Sequence, residues 1–205
     1  MLRIAQFFLY IPFALLYPTR VKGKENLKEL KKKPAIFAMN HKSNMDAVLL
    51  AVNTWEKKYY LAKKELFKNK FVGGILKRLG AVKIDRDGTD LGAIKNCLKI
   101  LKSNKKLLIF PEGTRVKGED MTMGEVKHGT AMFAIKAKVP IVPIYISRKP
   151  KVFHKTVITY GKPFTLEEFY GKKLDSTLLD EAGDIVAKKM EETKENYLQS
   201  LTKKK

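Results

Sequence analysis

Short apolar runs recur along this chain and alternate with stretches of helical periodicity. Strand patterns fall at Ala35–Met39, 59–62, Ala81–Ile84, 107–110, Ile141–Ile146 and Thr156–Tyr160, and helical patterns at 47–55, 71–79, 91–101 and 130–136. A run that is apolar on both faces must be covered on both faces. Strands separated by helix-length segments meet that demand as a mostly parallel sheet clothed in helices. The pattern predicts a single α/β domain, and 205 residues suffice to bury a full core. Residues 175–201 read as a long, charged amphipathic helix, with Leu178, Ala182, Ile185, Lys189 and Met190 near one side, packed outside the sheet as scaffold. Residues 203–205 read as a solvated tail. No repeat, linker or low-complexity segment divides the chain.

In open α/β sheets, reactive groups collect at the carboxyl ends of the strands. Two strand patterns end in polar clusters here. Residues 34–39 run into Asn40-His41-Lys42-Ser43-Asn44-Met45-Asp46, and residues 106–110 run into Pro111-Glu112-Gly113-Thr114-Arg115. A histidine oriented by a carboxylate, with its second ring nitrogen free, is the base half of a catalytic triad. Five positions on a straight helix lie about 140° apart, so the pair works only with His41 in the loop and Asp46 in the first helical turn. Ser43 and Asn44 are then expected as caps. By itself, this spacing also suits a solvated loop histidine before a helix start. No G-x-S-x-G elbow supplies a protein nucleophile, so a base at this edge would act on a hydroxyl that the substrate brings.

Arginine is scarce in a chain where lysine dominates, so arginines inside the clusters are informative. Arg86 follows the strand pattern Ala81–Ile84 with Lys83 beside it, and Arg115 closes the second polar turn. A guanidinium binds phosphate through a planar fork that lysine lacks. The competing role for Arg115 is an ion pair with Glu112 or Asp85.

With these blocks assembled, the chain resembles the glycerolipid acyltransferases of the 1-acylglycerol-3-phosphate type. The resemblance rests on Asn40-His41-x-Ser43-x-x-Asp46 and Phe110-Pro111-Glu112-Gly113-Thr114-Arg115. It extends to Gly80-Ala81-Val82-Lys83-Ile84-Asp85-Arg86, to Val139-Pro140-Ile141-Val142-Pro143-Ile144 and to the segment 21–27, and covers about 21–161. It implies transfer of a fatty acyl group from a thioester to the sn-2 hydroxyl of lysophosphatidate, giving phosphatidate. His41 would be the base and Asp46 its orienting acid. Lys83, Arg86, Glu112, Gly113, Thr114 and Arg115 would form the glycerol-phosphate site, with Gly113 allowing the tight turn. No resident cofactor is expected; acyl-CoA or acyl-carrier protein would be the co-substrate. A lipid hydrolase, with water replacing the acceptor hydroxyl, is the other enzymatic reading.

The net charge of +21 admits nucleic-acid binding. No nucleic-acid motif accompanies the dispersed lysines, and the expectation is no nucleic-acid partner. An anionic membrane surface explains the charge better, since each nearby cation gains about 1 kcal/mol there. Residues 1–17 are mostly apolar, too short to span and interrupted by Pro12. Residues 1–20 are therefore expected as an apolar helix lying in the membrane interface, with a helix packed on its own domain as the alternative, and 21–205 as the acyltransferase domain. The expected location is the cytoplasmic face of the cell membrane, peripheral or monotopic. The single Cys97 excludes an internal disulfide and is expected to be a buried thiol; three histidines without partners at ligand spacing predict no metal site.

Overall fold

The computed structural model describes residues 14–54, 58–78, 80–84, 91–116 and 123–202. Seven strands form one sheet: β1 (Thr19–Lys22), β2 (Ala35–Met39), β3 (Lys58–Lys63), β4 (Ala81–Ile84), β5 (Lys106–Ile109), β6 (Ile141–Ile146) and β7 (Thr156–Tyr160). Among the described residues, five α-helices accompany them: α1 (Met45–Val52), α2 (Lys70–Arg78), α3 (Leu91–Lys102), α4 (Gly129–Ala137) and α5 (Ser176–Thr202). The sheet order is β1-β7-β6-β2-β5-β3-β4. Strands β6, β2, β5, β3 and β4 run parallel, whereas β7 is antiparallel to β6 and β1 parallel to β7.

Strand alternation sorts the core into two layers. Ile36 and Ala38 of β2 pack on one face with Cys97 and Leu101 of α3, Phe133 of α4, and Val186 and Met190 of α5. Ala35, Phe37 and Met39 point the other way, toward Leu49 and Leu50 of α1, Tyr60 and Tyr160. Every residue of β2 and β6 is buried, as expected for central strands covered on both sides. Removing a side chain such as Phe37 from this setting costs about 3–5 kcal/mol.

The α/β expectation holds, as does the scaffold helix, which lies against β6, β7 and α4. Its buried stripe is Ala182, Val186, Met190, Thr193 and Tyr197, extending further along the helix than the apolar residues alone suggest. Lys189 turns its ammonium to Glu192 at 2.8 Å. Strand β1 is an addition: Thr-Arg-Val-Lys is too short and polar to read as a strand, and pairing with β7 creates it. Gly23 ends β1 at φ 74°, where a Cβ would collide with the Tyr160 carbonyl. Of the apolar N-terminal helix expected over 1–20, residues 1–13 lie outside the described residues, and Thr19 and Arg20 belong instead to β1, drawn into the sheet by β7. Asp85, Arg86 and the tail 203–205 also lie outside the described residues. Among the described residues, no helix is long and apolar enough to cross a membrane.

Candidate active site

Strand β2 delivers its last residues to the carboxyl edge of the parallel strands. Asn40, buried beyond the strand's end, continues the pairing with a side chain. Its amide donates to the Ile146 carbonyl (3.1 Å), and its carbonyl oxygen accepts the Ile146 N–H (2.7 Å). This pins the start of the loop to β6, so the next residue leaves the sheet in a defined direction.

That residue is His41, whose side chain is 14% exposed; its Nδ1 lies 3.1 Å from Oδ2 of the fully buried Asp46. The same Oδ2 accepts the backbone N–H groups of Lys42 and Ser43, both at 2.7 Å. Asp46 sits in the first turn of α1, as the geometry of the spacing requires. An oxygen that already receives two amides is fixed as an acceptor, so the imidazole proton belongs on Nδ1 and Nε2 is left with its lone pair. Asp46 Oδ1 is buried and has no hydrogen-bond partner among the described residues, which concentrates the carboxylate's interactions on the oxygen facing the ring. The His41 ring stacks on Phe110 with centroids 3.9 Å apart and planes 22° apart. Ser43 Oγ accepts the Met45 N–H at 3.2 Å. Asn44, expected as a cap, makes no side-chain capping bond, because the Asp46 carboxylate already serves the amides at this turn.

The second polar cluster meets the first. Glu112 is 3% exposed; its Oε2 accepts the His41 N–H and its Oε1 the Gly124 N–H, each at 2.9 Å. In return, the Val116 N–H donates to the His41 carbonyl at 2.9 Å. Burial raises the Glu112 pKa, opposed by the two amides and then by the charges of Lys42 and His41. Both Glu112 oxygens are occupied by main chain, so this side chain shapes the site by tying the β2 and β5 loops together.

Gly113 adopts φ 69°, inside the turn closed by its N–H to the Phe110 carbonyl (3.0 Å). Thr114 and Arg115 follow it, both exposed. Lys83 is also exposed, on β4, three strands from β2 and so about 14 Å away across the sheet. Arg86 lies outside the described residues, so its relation to Arg115 is not part of this geometry. Lys127 is an addition. Its N–H donates to the Pro111 carbonyl (3.0 Å), and a Cβ placed on Gly113 would lie 3.5 Å from its Nζ. One lysine among many carries no sequence signal, and only the fold places this ammonium on the Glu112–Arg115 turn. No cluster of metal-ligating side chains occurs among the described residues.

Comparison with known proteins converges on this region. The family model described as Acyltransferase matches residues 18–147. The chain is 36% identical over 129 residues to the 1-acyl-sn-glycerol-3-phosphate acyltransferase of Bacillus subtilis, covering 60% of each chain. It is 28% identical to a chloroplastic 1-acyl-sn-glycerol-3-phosphate acyltransferase of Brassica napus, covering 91% of this chain and 55% of that protein. The crystal structure of the 1-acyl-sn-glycerophosphate (LPA) acyltransferase PlsC from Thermotoga maritima superimposes with a TM-score of 0.69 at 25% identity, covering 93% of this chain and 78% of that one. The chain spans 55–60% of the length of these two curated relatives.

Proposed function

This chain belongs to the acyltransferase family, and from that premise we propose that it transfers a fatty acyl group from an acyl thioester to the sn-2 hydroxyl of lysophosphatidate, forming phosphatidate. The observation that carries the reading is the His41–Asp46 pair, held at the strand edge with Nε2 free to accept a proton. The names of the relatives support the acceptor; either acyl-CoA or acyl-carrier protein suits the chemistry as donor.

In the proposed reaction, His41 Nε2 takes the acceptor's hydroxyl proton as that oxygen attacks the thioester carbonyl. Asp46 stabilises the imidazolium, and the Phe110 face beneath the ring adds a cation–π contribution as charge develops. The tetrahedral intermediate collapses, the C–S bond breaks, and the imidazolium returns its proton to the departing sulfur. No covalent acyl-enzyme is needed. Arg115, Lys127 at the Gly113 turn, Lys83 and Arg86 supply cations for the glycerol phosphate. Glu112 and Gly113 hold the turn that presents them, and Thr114 offers a hydroxyl.

The residues before β1 serve as the membrane-interfacial segment, and the chain from β1 onward as the acyltransferase domain. The enzyme works at the anionic cytoplasmic face of the cell membrane, drawn there by its lysines. Release of free thiol from acyl-CoA or acyl-carrier protein tests the chemistry. It should require lysophosphatidate and yield phosphatidate one for one; thiol release of equal rate without acceptor would instead mean hydrolysis.

A further inference from the structure

The edge of the sheet that carries His41 also carries an exposed apolar surface. Because β7 is antiparallel to β6, the connection 147–155 leaves and re-enters the sheet at the edge where β2 ends. Because β1 is parallel to β7, with Thr19 opposite Thr156, the residues before β1 start from that same edge. Two segments distant in sequence thus meet there. The Phe153 N–H donates to the Leu16 carbonyl at 2.7 Å, and the Thr156 N–H to the Pro18 carbonyl at 2.9 Å.

What these clamped segments present is Leu15 at 70% exposure and Phe153 at 75%, with Leu16 and Val152 also exposed. Phe153 has φ 63°, a left-handed conformation that bulky residues avoid and that a turn ordinarily gives to glycine or asparagine. A strained backbone holding a phenylalanine out into solvent is costly twice over unless the ring has a destination. The surroundings indicate which. Lys149, Lys151 and Lys155 of the same loop and Arg20 of the neighbouring β1 are all exposed, and the sequence holds no acidic residue from 126 to 166 or before Glu25. Exposed apolar side chains on segments that carry exposed cations and no acids match the acyl–headgroup boundary of an anionic bilayer.

We propose that the 148–155 loop is a second membrane-docking element, which inserts Phe153 and Val152 beside Leu15 and Leu16 and sets the His41 edge against the lipid surface. This rests on the reading of the enzyme as membrane-bound and deepens it. An apolar N-terminal segment alone would tether the domain in any orientation. A second contact, two to three strand spacings from β2 or about 10–14 Å across the sheet, fixes which edge faces the lipid and brings the acceptor hydroxyl to the base without leaving the bilayer.

The test uses the full chain with Phe153→Trp in a Trp55→Phe background, which leaves one indole, at the loop tip. It is mixed with phosphatidylglycerol–phosphatidylcholine vesicles whose acyl chains are brominated. The expected result is a blue-shifted indole emission quenched by the bromines. Alongside it, Val152→Ser/Phe153→Ser should weaken vesicle flotation roughly ten- to hundredfold, with unchanged circular dichroism. If the chain floats with vesicles but the indole emission is neither shifted nor quenched, the loop assignment falls and membrane binding by the residues before β1 stands. If the chain does not float at all, the membrane reading falls and the loop assignment with it. Quenching without acyl transfer would uphold the docking surface and overturn only the proposed chemistry. An unquenched indole combined with weaker binding of acidic carrier protein by the double serine variant would overturn the lipid assignment.

Discussion

The Glu112 carboxylate accepts the backbone N–H of His41 at 2.9 Å, so the loop after β5 positions the main chain of the residue after β2. A side chain 71 positions away in sequence holds the candidate base from behind, while Asp46 holds its ring from the side. Replacing Glu112 with glutamine keeps one acceptor oxygen but sets an NH2 against the other amide. The variant should lose about 1–3 kcal/mol of stability and most of its turnover, as read by thermal unfolding and thiol release.

The same carboxylate gives a pH signature. Burial keeps its folded pKa above the ordinary value, so the folded chain holds the proton to higher pH than the unfolded chain. Its contribution to stability is therefore full below the unfolded pKa and is lost as pH rises through the folded one. The stability gap between the parent chain and Glu112→Gln should narrow as pH rises upward from the ordinary carboxylate range. A gap that widens instead would contradict the assignment.

His41→Ala should lower acyl transfer by about 10²–10⁴-fold, the usual cost of losing a general base, while the fold survives because the side chain sits at the sheet edge. Asp46→Asn should be less damaging to turnover but still severe, since the orienting charge is gone. It should also cost stability, because Asp46 is buried and caps two amides. Near-normal turnover by His41→Ala would rule out the mechanism.

Arg115→Ala and Arg86→Ala should chiefly raise KM for the phosphate-bearing acceptor, by roughly ten- to hundredfold each, as expected for losing a charge-assisted contact of about 1.5–3 kcal/mol. Lysine at either position should restore only part of the loss. Lys127→Ala should act in the same direction as Arg115→Ala. Equal damage with an acceptor lacking phosphate would mark any of the three as structural.

Asn40→Ala separates scaffold from chemistry in another way. It leaves the Ile146 N–H and carbonyl without their buried partner, at a cost of about 1–3 kcal/mol. Because His41 then leaves an unpinned strand end, kcat should fall further than KM rises. Denaturant unfolding with parallel kinetics measures both.

The parts of this site that could be read from the sequence are those in which local spacing does the work. Five residues from a strand-end histidine to an acid can close a hydrogen bond only across a loop–helix junction, and Asp46 lies at that junction. The α/β fold was legible for a similar reason, because strands buried on both faces cannot avoid a continuous apolar signal. Long-range pairings left no such trace. Asn40 bonds across 106 positions to Ile146, and Lys127 reaches the Gly113 turn only after α4 packs. Strand β1 exists because β7 offers it an edge, and four half-polar residues announce nothing without that partner.

Cys97 lies at 0% exposure in the layer between β2 and α3, with no other sulfhydryl in the chain. While the fold is intact, a colorimetric thiol reagent has no reactive protein group to find, so colour that develops during turnover reports coenzyme or carrier leaving the acyl chain. In the absence of substrate, the same reagent becomes a clock. Its slow reaction measures how often the central layer opens, and any variant that loosens the scaffold will betray itself by labelling faster, before its activity is assayed.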